Sequence, residues 1–245
     1  VATDKPCTMS RYAPDEVGLA LDAALGVGEE VVVEADAFCD GHDVIAVVLR
    51  YRLRDSTEWT DLPMKHLGND RWRAAFHVST MGQWHYTIAG WVDHFETWRR
   101  DLVKKLDAGQ NLQVDLLIGA TLIESAVRRA SADDGRKLTA WRQALRSNDS
   151  PDDDRIRIAL SADLRALMAR YPDRRLASIY ERELQVIVDR QKARYSAWYE
   201  LFPRSQGTLR DCEARLPYVA KLGFDILYLP PIHPIGRAHR KGRGN

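Results

Sequence analysis

The hydrophobic period of this chain changes from two to about 3.6 near Thr97 and returns to two near Glu183, so sheet and helix must share one polypeptide, with the helical part set inside the sheet part. From Glu30 to Asp93, Val31, Val33, Ala35 and Ala37 alternate with Val32, Glu34, Asp36 and Phe38. Leu49, Tyr51 and Leu53 then alternate with Arg50, Arg52 and Arg54. Gly68-Asn69-Asp70 marks a turn, followed by Trp72, Ala74, Phe76 and Val78 on one side and, past Gly82, by Trp84, Tyr86, Ile88, Gly90 and Val92. Short strands with one wet face at this spacing predict an immunoglobulin-like antiparallel β-sandwich.

Helical spacing follows in three stretches: Leu102 to Val127, Leu138 to Leu145, and Ile156 to Met168. Pro151 and the acids around it separate the second from the third, and Pro172 ends the third. Apolar stripes of this kind build an internal core. Glu183–Arg190 alternates again, with Leu184, Val186 and Val188 on one face, and supplies the last sandwich strand. The predicted organisation is a sandwich domain over residues 1–104, an inserted helical bundle over 105–176, a final strand and linker over 177–193, and a parallel α/β unit over 194–245.

In that last unit Ala197 to Phe202 is an apolar run stopped by Pro203, Thr208 and Asp211 have cap spacing, Gly223 ends a helix, and Ile226 to Leu229 is a second strand. Strand, helix, strand is one crossover of a parallel sheet. Pro217 within the helix predicts a kink or a break. A closed (β/α)8 barrel needs roughly 250 residues, so residues 194–245 hold only its first βαβ unit, an incomplete barrel.

With 36 Lys and Arg against 35 Asp and Glu, the net charge of +1 argues against a nucleic-acid binder. No run approaches the roughly 20 apolar residues of a membrane span, and Val1–Pro6 is unlike a secretory signal. No membrane partner and a cytoplasmic location are expected. Cys7, Cys39 and Cys212 fit neither a disulfide framework nor a paired-Cys zinc site, and the seven histidines lack metal-ligand spacing. No metal or cofactor is expected.

The chemistry concentrates after the second parallel strand. Loops at the carboxyl ends of parallel strands form ligand-binding faces, and the segment from Arg237 to Asn245 carries Arg237, Arg240, Lys241 and Arg243 with no acid. Flexible glycines and cations suit an anion such as phosphate, while a hydrated basic surface has the same composition. Glu200 is assigned to the first strand, Asp211 to a cap and Asp225 to the second strand, and neither these nor Glu213 are assigned to catalysis. An exposed Trp on the sheet would offer a sugar ring a stacking face; of Trp72, Trp84 and Trp91, core packing is expected for at least the first two.

The run Tyr195-Ser196-Ala197-Trp198-Tyr199-Glu200-Leu201-Phe202-Pro203-Arg204-Ser205, then Gly207-Thr208-Leu209-Arg210-Asp211, Leu229-Pro230-Pro231-Ile232-His233-Pro234-Ile235-Gly236 and Arg240-Lys241-Gly242-Arg243 closely resembles the α-1,4-glucan:maltose-1-phosphate maltosyltransferases, a bacterial family of the α-amylase superfamily. The match is dense over residues 194–245 and looser before them. The resemblance implies a sandwich, an inserted bundle and a catalytic barrel. It implies a glycosyltransferase that moves maltosyl units from maltose 1-phosphate to the non-reducing end of an α-1,4-glucan with retention. Retention needs two carboxyls close together, and the family carries them on later barrel strands, beyond Asn245. No catalytic residue is therefore expected in this chain, which alone should be inactive. Lys241 matches the family lysine that contacts the donor, and Asn245 stands where the motif has a sugar-contacting Asn, with Gly244 replacing the Asn before it. A homodimer is implied as well. Two other readings stay open: a non-catalytic glucan-binding or dimerisation module, and another amylase-superfamily hydrolase or trehalose synthase.

Overall fold

The computed structural model describes residues 8–10, 25–147, 149, 151–233 and 238. Twelve strands lie in these segments. The first sheet contains β1 (Thr8–Ser10), β3 (Glu30–Phe38), β7 (Arg71–His77) and β6 (Lys65–Gly68) in that spatial order. The second runs β2 (Leu25–Gly26), β10 (Leu184–Asp189), β8 (Gly82–Val92), β4 (Ile45–Leu53) and β5 (Thr60–Pro63), with β9 (Ser178–Ile179) also on β8. Alternation in β3 buries Val31, Val33, Ala35 and Ala37, and from the other sheet Val47, Leu49, Trp84, Tyr86, Ile88 and Val188 join the same core. Tyr51 stacks on Phe76 at 4.4 Å between ring centroids, tying β4 to β7 across this interior. The β6–β7 turn needs left-handed backbone at Gly68, Asn69 and Asp70 (φ 104, 48 and 61°), the residue types that adopt it most readily.

One strand departs from the alternating pattern. β8 is buried on both faces near its end: Ile88 faces the shared core, whereas Ala89 and Trp91 pack with Val48 and the returning Ala177. Trp91 is 5% exposed and Trp84 8%, so neither offers a stacking face to a sugar; Trp72 is partly buried and donates from Nε1 to Ala37 O at 3.1 Å.

The helical stretch holds five helices where the spacing predicts three: α1 (His94–Asp107), α2 (Gln113–Val127), α3 (Ala132–Arg146), α4 (Asp152–Ala159) and α5 (Ala162–Arg170). The first stretch divides where α1 ends and Gly109 takes φ 63°. The third divides at Ser161, whose hydroxyl accepts from Leu164 N and starts α5. Helix begins at His94, capped by Asp93, and α1 crosses position 104 unbroken. The bundle core, with Leu102, Leu116, Ile123, Leu138, Leu145 and Leu164 fully enclosed, shares no residue with the core of the sheets. Gly119 is required at the α1–α2 contact because a Cβ there would overlap the Trp98 ring.

After the 3-10 turn Gln191–Ala193, β11 (Trp198–Glu200) and β12 (Ile226–Tyr228) pair in parallel, Trp198 opposite Ile226. Between them lie α6 (Pro203–Gln206), α7 (Leu209–Glu213) and α8 (Leu216–Lys221). Thr208 and Asp211 form a reciprocal capping box, and the helix is broken before Leu216 so that Pro217 falls in the first turn of α8, where its missing N–H costs least.

Candidate functional site

Beyond the carboxyl end of β12 the chain runs through Pro231 to His233, which are exposed. Lys241 and Asn245 lie outside the described residues. The carboxylates nearby have structural partners. Asp211 Oδ2 takes the Thr208 hydroxyl and N–H, both at 2.7 Å, and these bonds hold its carboxyl below the usual range. Asp225 is lowered too, first by Lys192 at 2.8 Å and then by the amide of Ala197. Glu200 is exposed on β11. Trp198 and Phe202, each 58% exposed, leave much apolar surface around this pair of strands.

A second candidate lies where the chain crosses between the sheets and the helices. A cavity of about 450 Å³ is bounded by the end of β8, the first turn of α1, α2, α5 and the returning Tyr171–Asp173 segment. Its inner wall includes Trp91, Phe95 and Met168, and its outer wall is the exposed Ala162, Ala166 and Ala169 stripe of α5. Charged groups there are paired: Arg165 Nε donates to Glu96 at 2.7 Å, and Arg129 Nη1 lies 3.7 Å from Asp173. Arg129 also donates to Tyr171 O at 2.8 Å and to Ser125 Oγ at 3.0 Å. Burial raises the Asp93 carboxyl, against the opposing pull of the Glu96 amide it caps. The Glu96 bond in turn raises Arg165. A wider groove of about 810 Å³ shares His94, Leu122, Ser125 and Asp173 with this cavity and continues along α1 and α2 past Lys105, which pairs with Asp115 at 2.6 Å.

The outer face of the second sheet is polar but internally occupied. Arg50 and Arg52 both stack on Trp59, at 5.4 and 4.6 Å from the ring centroid, and Arg174 stacks on Trp91 at 4.4 Å. Burial raises the Asp61 carboxyl, but its bonds to Arg174 and Arg50 outweigh that and leave it lowered. Glu183 is lowered first by its bond to His85 and further by Arg52.

The sequence reading does not single out the junction cavity. One signal was available, because Asp93-His94-Phe95-Glu96 has capping spacing and marks where helix begins. The approach of Arg129, in the turn that follows α2, and Arg165, on α5, has no local signal.

Residues 21–190 match the family model described as α-1,4-glucan:maltose-1-phosphate maltosyltransferase, domain N/S. Proteins named α-1,4-glucan:maltose-1-phosphate maltosyltransferase from Chlorobaculum tepidum and Myxococcus xanthus are 47% and 46% identical over 225 and 234 residues, covering 89% of this chain and 33% and 35% of theirs. A relative of the same name from Cereibacter sphaeroides is 40% identical over 96% of this chain and 41% of its own length. The chain thus spans about a third of the length of these curated relatives. A match that runs through both cores identifies this chain as a member of the α-1,4-glucan:maltose-1-phosphate maltosyltransferase family.

Proposed function

We propose that this chain forms the N-terminal portion of a retaining glycosyltransferase that moves maltosyl units from maltose 1-phosphate to the non-reducing end of α-1,4-glucans. The observation that carries the reading is the family match across residues 21–190, which takes in strands, inserted helices and returning strand together. The finer architecture belongs to the same proposal. The two sheets are an immunoglobulin-like sandwich, α1 to α5 an inserted bundle, and β11 to β12 the first unit of a (β/α)8 barrel whose later strands supply both catalytic carboxyls. The proposed divisions keep the order sandwich, bundle, returning strand with linker (177–193) and barrel unit (194–245), with the bundle opening at the Asp93 cap of α1 rather than at 105. Parallel pairing of β11 with β12 through intervening helices supports the barrel assignment. Lys241 and Asn245 are proposed substrate contacts, Lys241 donating to the donor's sugar hydroxyls or phosphate.

The protein is proposed to be cytoplasmic; among the described residues no helix is long and apolar enough to cross a membrane. Homodimerisation is proposed through α2. Its inner face buries Leu116, Ala120 and Ile123, yet Val114, Leu117 and Ile118 are 68, 48 and 47% exposed on the other side. A helix apolar on both faces calls for cover on both.

The test is phosphate release from maltose 1-phosphate in the presence of glycogen. Residues 1–245 alone should release none, and the chain extended through a full barrel should turn over. In the extended enzyme Lys241→Ala should raise the KM for donor about tenfold, the scale of one lost hydrogen bond to a charged group. Turnover by residues 1–245, or none by the extended enzyme, would refute the reading, and unchanged donor kinetics would remove Lys241 from the site.

A further inference from the structure

We propose that the junction cavity between β8, α1, α2 and α5 is a binding site for a neutral pyranose ring. Its volume of about 450 Å³ is within the usual range for small-molecule pockets. Each carboxyl of the lining is engaged: Glu96 is paired with Arg165, Asp173 lies beside Arg129, and Asp93 accepts from the amides that begin α1, with His94 next to it in the lining. A lining of that kind disfavours an ion. It still offers planar polar groups, since Arg165 uses only Nε toward Glu96 among the described residues, leaving its Nη donors beside a carboxylate acceptor. A donor fork beside a carboxylate matches two neighbouring hydroxyls of a sugar. Beneath that rim, Leu122, Ala166 and Met168 give an apolar wall for the C–H face of the ring.

The position also assigns a consequence. Both connections between sheets and bundle line the cavity, Val92-Asp93 on the way out and Tyr171-Pro172-Asp173 on the way back. A sugar seated there would brace both crossings and favour one bundle orientation. The neutral-polyol chemistry rests on the lining alone; the choice of glucose units rests on the proposed glucan activity.

Calorimetric titration of residues 1–245 with glucose and with maltose should give saturable binding. Arg165→Gln, on the exposed side of α5, should weaken it about tenfold. Ala166→Trp, also exposed and therefore compatible with folding, should fill the cavity and abolish it. Thermal melts of both variants check the fold. No saturable binding by the unaltered chain, undiminished binding by both variants, or preferential binding of inorganic phosphate would each overturn the proposal. Phosphate release by the extended enzyme is measured separately, so failure here leaves the family activity standing.

Discussion

At the scale of single residues, charge pairing on the outer sheet face makes a pH dependence that can be assigned. Asp61 joins Arg50 on β4 at 2.9 Å to Arg174 on the segment returning from the bundle. Its carboxyl is lowered in the folded protein, so the pairing stabilises above the unfolded carboxyl's ordinary value near 3.8 and is lost as pH falls through the lower folded value. Asp61→Asn should therefore cost on the order of 1 kcal/mol at pH 7, after allowing for solvent screening. The gap between variant and unaltered chain should close toward pH 3 in chemical denaturation; an equal gap at both pH values would show that ionisation is not its source. Asp93 acts in the opposite sense. Its raised carboxyl favours the fold at low pH, and that contribution is lost as pH rises through its folded value. The alternating pattern made Arg50 legible as outward-facing, but its two-way bond through Asp61 depends on a residue 113 positions from Arg174 along the chain.

Among the elements, α2 has the least ordinary surface. Leu117 replaced by Glu sits on the exposed side and leaves the Leu116, Ala120 and Ile123 contacts intact. Leu117→Glu should convert a homodimer to a monomer, halving the mass by light scattering, with little change in melting temperature of the monomer at matched concentration. A monomeric unaltered chain, or a variant that stays dimeric, would reject this face. Helix boundaries were partly legible. Thr208 and Asp211 announced a cap and Pro217 a break, and both occur because backbone donors must be satisfied locally. The breaks at Gly109 and Ser161 do not show in the periodicity because an apolar period of 3.6 carries through a short turn when both flanking helices face one core.

Over the whole molecule, the two cores have no residue in common and predict separable stability. Arg155, only 3% exposed, donates from Nε and Nη2 to Leu145 O at the end of α3, at 3.2 and 2.7 Å. Arg155→Met keeps much of the packing but leaves that carbonyl unpaired, costing about 2 kcal/mol. Hydrogen exchange should accelerate in α3 to α5 while β4 and β8 keep their protection; uniform acceleration would mean the cores unfold as one. By itself the sequence determined the alternating strands, the helical insertion and the parallel β11–β12 crossover, because hydrophobic period, caps and prolines act within a few residues of one another. Only the tertiary structure decided that β8 is buried on both faces, that Trp91 is buried, and that Glu96, Arg129, Arg165 and Asp173 meet around one cavity. Those outcomes depend on which surfaces pack when distant segments return to each other, and a linear pattern records how strongly each segment seeks burial but not against what.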